Sequence, residues 1–196
     1  MLKYHDLYDK VKDHFLLYNK EERFNHSLRV IEMALKLNQV HNLNIDEEVI
    51  KIAGLVHDYA KVYSEEVLLK YIKKEFPTDL ELLNFKEVFH SLVGDIIVKD
   101  ELAIMDNDIL DAIKYHTTGK SKMSDLTKVI YLADYIEVGR KFKEASTIRE
   151  LAYKSLDSAV FEMTKNTINY LQNKGLDIYS KTFETYNYYK EILLDA

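Results

Sequence analysis

A single proline, Pro77, interrupts 196 residues, and only five glycines join it as chain breakers. Helices can therefore run long, because proline inside a helix removes a hydrogen bond and clashes, and glycine adds an entropic cost. No convincing run of period-two alternation is present, so strands lack their main signal. The fold class read from this pattern is all-α, one helical domain over 1–196. A chain of this length can bury a sizeable core in one unit.

Helical spacing then divides the chain. Residues 1–17 carry the stripe Leu2, Leu7, Val11, Phe15 and Leu16, and residues 21–39 carry Phe24, Leu28, Ile31 and Leu35. Asn42 to Asn44 mark a turn, and Asp46 is the expected N-cap of a helix over 46–61 with Val49, Ile52, Ala53, Val56 and Ala60 on one face. Ser64, Val67, Leu68, Tyr71 and Ile72 give a short helix. Beyond Pro77, residues 79–98 resume in one or two pieces. Residues 106–116 end at Thr117-Thr118-Gly119, where the glycine suits a left-handed C-terminal position. Residues 124–137 place Leu126, Val129, Ile130, Ala133 and Ile136 on one side. Two helices, 146–174 and 180–194, complete the domain on either side of Gly175.

There is no cysteine, so any metal must be held by nitrogen and oxygen. The formal net charge of −6 argues against nucleic acid as the main partner, while local cations can still hold a small anionic substrate. The opening Met-Leu-Lys-Tyr-His-Asp-Leu lacks the apolar core of a signal peptide, and no apolar run reaches bilayer length. The expectation is a cytoplasmic protein without membrane contact.

The residues with chemistry to offer lie beside the apolar stripes. His57 follows Ala53 by four residues, and Asp58 points about 100° further round the helix, so the pair can grip one ion over the helix edge. Gly54, one turn before Asp58, is expected to clear space there. A carboxylate beside so apolar a face needs a partner, and a metal supplies one. Asp134 follows Ile130 by four residues, His116 follows Ala112 by four, His26 stands above Val30 and Met33, and His90 lies between Phe89 and Leu92. His5, His14 and His41 read as ordinary core or surface residues. Cations accompany the ligands: Arg23 before His26, Lys61 after Asp58, and Arg140 after Asp134. These fit phosphate contacts, with arginine suited to a bidentate grip. Tyr59, Tyr63 and Tyr135 are close enough in sequence to stack on a base.

The sequence resembles the HD-domain phosphohydrolases, and within them the YqeK-type symmetrical bis(5′-nucleosyl)-tetraphosphatases, over roughly residues 20–187. The resemblance rests on His26-Ser-Leu-Arg-Val, Leu55-Val-His-Asp-Tyr-Ala-Lys61, His90-Ser-Leu-Val-Gly, Tyr115-His-Thr-Thr-Gly119 and Tyr131-Leu-Ala-Asp-Tyr-Ile-Glu-Val-Gly-Arg140. The family usually has proline where this chain has Val138, and another near Ser180; no ligand is lost at either departure. The resemblance implies that His26, His57, Asp58 and Asp134 hold the metal, iron being the family's choice. It also implies that His90 and His116 contact phosphate or hold a second ion. Thr117 and the edge formed by Asp177, Ile178 and Thr182 would contact nucleotide. Core motifs over 23–140 would carry the chemistry, and the helices over 146–194 would complete the pocket.

Such a site hydrolyses a phosphoanhydride. Asp58 would bind the metal and help position the attacking water. Protonated His90 or His116 would stabilise phosphate charge or assist the leaving group, and Lys61 would act beside them. Manganese, cobalt or zinc could replace iron in a nitrogen and oxygen site. The expected reaction is symmetric cleavage of diadenosine tetraphosphate to two ADP. The alternatives are an HD phosphohydrolase for another nucleotide, such as a nucleoside triphosphate or guanosine alarmone, or a non-catalytic nucleotide sensor. A homodimer is the base-rate expectation for assembly.

Overall fold

A computed structural model describes residues 3–194. The described chain is helical throughout, with no strand. Its helices are α1 (Tyr4–Leu17), α2 (Glu21–His41), α3 (Glu47–Val56), α4 (Glu65–Glu75), α5 (Phe89–Leu92), α6 (Gly94–Leu102), α7 (Asn107–Tyr115), α8 (Asp125–Ile136), α9 (Lys143–Ala152), α10 (Leu156–Asn173) and α11 (Ser180–Leu194). The cap expected at Asp46 is present, and Ser64 supplies a second. Asp46 accepts from the Glu48 amide and Ser64 from that of Val67, satisfying amides that a helix start leaves unpaired.

Helix α8 is the central element. Tyr131, Leu132 and Ala133 are buried in succession, so α8 is covered on several sides, by α2, α3, α7, α9 and α10. Its buried hydroxyls are satisfied: Tyr131 Oη lies 3.1 Å from Thr164 Oγ1, and Thr127 Oγ1 lies 3.0 Å from Ser124 Oγ. A single apolar core runs from Leu7, Val11 and Phe15 of α1 to Tyr189 of α11.

Four sequence expectations are corrected. In α1 the buried stripe is Leu7, Val11 and Phe15, while Leu16 is 40% exposed; one residue further round the helix turns it outward. Leu2 lies outside the described residues. The helix expected over 46–61 stops at Val56, and Tyr59–Val62 form a tight 3-10 turn instead. The helix expected over 146–174 is two, because Ser155 caps a fresh start at the Ser158 amide. Residues 79–98 form more than two pieces, with 3-10 turns Glu81–Asn84 and Lys86–Val88 ahead of α5 and α6.

Gly54 has a different purpose from the one expected. A methyl group there would lie 2.7 Å from Ile31 Cγ1 and 3.4 Å from the Ile31 backbone, so the glycine permits the close approach of α3 to α2. Ile31 is buried and β-branched, hence stiff within its helix. Gly54→Ala should therefore destabilise by about 1–3 kcal/mol through overpacking, against a gain of at most ~1 kcal/mol in helix preference. Thermal unfolding checks this, with an expected drop of roughly 2–4 °C per kcal/mol lost.

Gly119 does occupy the left-handed region, with φ +65°. Its turn is tied to α11 by the Thr185 hydroxyl, which donates to the Thr118 carbonyl at 3.0 Å. The start of α11 is thus held beside the turn that follows His116.

Candidate metal centre

The early end of α3 shapes the site. His57 keeps helical backbone angles, whereas Asp58 turns to φ −103° and ψ 13°. Both side chains end up buried, at 1% and 3% exposure, where a continued helix would have swept them apart. His26 comes from α2, His90 from the single turn of α5, His116 from the end of α7 and Asp134 from α8. The four rings form a series, the first two pairs T-shaped and the third tilted. Centroids lie 5.4 Å apart for His26 and His57, 5.0 Å for His57 and His116, and 5.2 Å for His116 and His90.

The hydrogen bonds fix how these rings point. His57 Nδ1 lies 2.8 Å from the Gly54 carbonyl and His116 Nδ1 lies 2.7 Å from the Ile113 carbonyl. A carbonyl only accepts, so each Nδ1 carries the proton and each Nε2 presents a lone pair to the centre. His26 Nδ1 similarly faces Glu137 Oε1 at 3.1 Å. The buried Nε2 atoms of His26 and His57 have no hydrogen-bond partner. They face carboxylate oxygens: His26 Nε2 is 2.9 Å from Asp134 Oδ1, and His57 Nε2 is 3.7 Å from Asp58 Oδ2 and 4.0 Å from Asp134 Oδ1.

Lone pairs aimed at anionic oxygens need a cation between them. Atoms bound to one first-row ion at about 2.1 Å lie about 3–4 Å from one another, the spacing seen here. Two overlapping triads meet the requirement, His26–His57–Asp134 and His57–Asp58–His116, with all ligand atoms of each within 4.8 Å. The residues therefore fit a metal, and His57 is common to both sets. Second-layer groups hold the ligand rings as metal-binding histidines require, with Nδ1–H on a carbonyl or carboxylate.

Burial sets the protonation. It lowers the pKa of His57 and of His90 to about 4, so both rings are neutral at pH 7. This corrects the expectation of a protonated His90. Burial opposes the charged form of Asp58, but His57, His116 and His90 outweigh it and hold the carboxyl well below the usual range. Asp134 is held low in the same way against its burial, by His26 and His57.

The remaining predicted residues fall into three groups. Arg23 Nη1 donates to Asp58 Oδ2 at 2.7 Å and Arg140 Nη2 to Asp134 Oδ1 at 2.7 Å, one half-buried guanidinium at each carboxylate. Lys61, exposed to solvent, places Nζ 3.1 Å from His90 Nδ1, and Thr117 Oγ1 is 3.5 Å from His90 Nε2. Asp177 and Ile178 lead into α11, where Thr182 is buried. Tyr59 and Tyr63 do not serve the site: both hydroxyls donate to Glu101, and Tyr59 stacks on His14 at 3.8 Å. Tyr135 packs edge-on against Phe142 at 5.0 Å. His5, His14 and His41 are where an ordinary reading puts them, His41 Nε2 lying 2.6 Å from the Ala152 carbonyl.

Sequence reasoning missed Glu137 and Arg29 as neighbours of the site. Glu137 is buried at 2% exposure against His26, Arg29 and the Gly139 amide. The available signal was spacing: Glu137 follows Asp134, and Arg29 follows His26, by three residues each.

These helices, with ligands from five of them and a His-Asp pair at the centre, define an HD-type metal-dependent hydrolase. A model of the HD domain family matches residues 23–139, more than half the chain, and the chain belongs to that family. Within it, the chain is 38% identical over 172 residues to the symmetrical bis(5′-nucleosyl)-tetraphosphatase of Staphylococcus aureus, covering 86% of this chain and 87% of that one. It is 38% identical over 169 residues to the Bacillus subtilis enzyme of the same name, covering 86% and 89%. The crystal structure of a predicted HD superfamily hydrolase involved in NAD metabolism, from Clostridium acetobutylicum, superposes with a TM-score of 0.88 at 38% identity, covering 94% of this chain and 97% of that one. The family resemblance carried by the five motifs is borne out, as is the all-α fold. No described helix is long and apolar enough to cross a membrane.

Proposed function

We propose that this chain hydrolyses diadenosine tetraphosphate symmetrically to two ADP, with His26, His57, Asp58 and Asp134 holding iron. Three rings with Nδ1–H pinned outward and Nε2 turned inward, between two low-pKa aspartates, carry the reading. The ion, with manganese, cobalt or zinc as substitutes, would supply Lewis acidity toward a phosphate oxygen and an attacking water. The protein's own groups do the rest. Asp58 and Asp134 accept hydrogen bonds and orient a nucleophilic water. Arg23 and Arg140, one at each carboxylate, grip phosphates on either side of the scissile bond. Lys61 Nζ sits 3.1 Å from His90 Nδ1 and 3.3 Å from His90 Nε2, which sets an ammonium and the His90 ring, 3.2 Å from His116 Nε2, beside the leaving phosphate. His116 and Thr117 border the same phosphate.

The C-terminal helices over 146–194 complete the nucleotide pocket in this reading. Support comes from the Thr185 to Thr118 bond, which sets the segment bearing Asp177, Ile178 and Thr182 beside the His116 turn. A cytoplasmic location and a homodimer belong to the same proposal; cell fractionation and light scattering test them.

The direct test is product analysis with metal removal. Diadenosine tetraphosphate should give ADP alone, chelation should abolish turnover, and iron, manganese or cobalt should restore it. AMP, ATP or orthophosphate among the products would point to a different nucleotide substrate. Full turnover in protein shown to be metal-free would remove the mechanism.

A further inference from the structure

Glu137 closes α8 with a buried carboxylate that serves three donors at once. Oε1 faces His26 Nδ1 at 3.1 Å, and Oε2 accepts from Arg29 Nε at 2.8 Å and from the Gly139 amide. Arg140 follows directly. Its amide donates to the Glu137 carbonyl at 2.9 Å, and its guanidinium reaches Asp134. Arg149 braces the same corner from α9, donating to the carbonyls of Ile136 at 2.7 Å and Glu137 at 3.0 Å. The corner is tight: a methyl group on Gly139 would lie 2.7 Å from Arg29 Nε and 2.9 Å from Glu137 Oε2.

We infer that Glu137 is a positioning residue for the reaction: one carboxylate keeps the proton of His26 on Nδ1 and anchors the turn that carries Arg140. A metal ligand and a phosphate grip are thereby set by the same group. The inference rests on the metal-dependent reading above. It follows from donor and acceptor counts. His26 Nε2 can offer a lone pair to the centre only while the ring's other nitrogen holds the proton, and an acceptor at Nδ1 favours that arrangement. Arg29, itself paired with Glu22 at 2.8 Å, offsets the buried negative charge.

Glutamine cannot replace this group. With its amide nitrogen toward His26 it meets Nδ1–H, donor against donor. Turned over, the amide nitrogen meets Arg29 Nε and the Gly139 amide. Glu137→Gln should thus reduce affinity for zinc, used as a diamagnetic probe, by about 10–100-fold, the usual result of losing a group that orients a metal-binding histidine. ADP binding to the zinc-loaded protein should weaken alongside it. Gly139→Ala, which touches no ligand but crowds the carboxylate, should shift both affinities in the same direction by less.

The decisive readout is the proton on His26, followed by long-range ¹H–¹⁵N spectra of histidine-labelled, metal-free protein, with the signal assigned by its loss in His26→Gln. Wild type should show Nδ1 protonated. If wild-type Nδ1 carries the lone pair instead, the inference fails whether or not Glu137→Gln folds. It also fails if Glu137→Gln lowers the melting temperature yet leaves zinc and ADP affinities at wild-type values, since a purely structural role would do that. Wild type that binds no metal at all would instead overturn the metal-dependent reading of the site.

Discussion

His57→Ala and Asp58→Ala should each lower turnover of diadenosine tetraphosphate by about a thousandfold or more while circular dichroism still reports a helical protein. The size follows from charge stabilisation: several kcal/mol of transition-state energy depends on the ion, and roughly 4 kcal/mol is about a thousandfold in rate. His57 is the more telling of the two, since it belongs to both triads. Its buried Nε2 has no hydrogen-bond partner, so the ring contributes little to the fold through that atom and much to any bound ion. Asp58 is different. It faces Arg23 at 2.7 Å and His90 and His116 at 3.3 Å each, so its removal also takes the ion-pair partner from Arg23 and the neighbouring carboxylate from both rings. The fold should therefore be more sensitive to Asp58→Ala than to His57→Ala. Metal content and turnover are measured together; wild-type values of both in either variant would remove that residue from the ligand set.

What the sequence made legible was periodic. His26, His116 and Asp134 could be placed inward because each stands one helical turn from a buried apolar residue, and a helix repeats its face at that spacing. The same logic failed at His57-Asp58. The helix ends beneath them, and no residue type in Val56-His57-Asp58-Tyr59 signals a stop. Gly54 was read as space beside Asp58 because a lone sequence shows neighbours along the chain. Its true neighbour, Ile31, lies on another helix. Tyr59 and Tyr63 were read toward the site for the same reason, and their real partner, Glu101, is far along the chain. The reading of one helix over 146–174 ran through Ser155, whose cap at the Ser158 amide starts a new helix. Glu137 stands in plain view within the stretch Tyr131 to Arg140. Its importance depends on His26 and Arg29 arriving from α2, and spacing alone does not predict a contact between helices.

Lys61→Ala should lower turnover by at least about a hundredfold with little change in Michaelis constant or metal content. Its amine lies 3.1 Å from His90 Nδ1 and 3.3 Å from Nε2, so it sets a positive charge at the ring that borders the leaving phosphate. Without the amine, nothing at that position neutralises the charge that develops on the leaving phosphate. Removing one group that stabilises developing charge costs about 10²–10³-fold in turnover, which sets the scale. An interaction made mainly as charge develops on the leaving group lowers turnover rather than ground-state binding. Arg140→Ala should behave in the opposite way. Its guanidinium is pinned by the Asp134 carbonyl at 2.9 Å and by Oδ1 at 2.7 Å, on the far side of the ring series from Lys61. A cation held there grips phosphate in ground and transition states alike, so its removal should raise the Michaelis constant and weaken ADP binding while turnover changes less. Steady-state kinetics with ADP titration separates the two, with bound metal measured in each variant. If Lys61→Ala raises the Michaelis constant and spares turnover, Lys61 does not stabilise the leaving group. If both variants match wild type throughout, the two cations are surface charges.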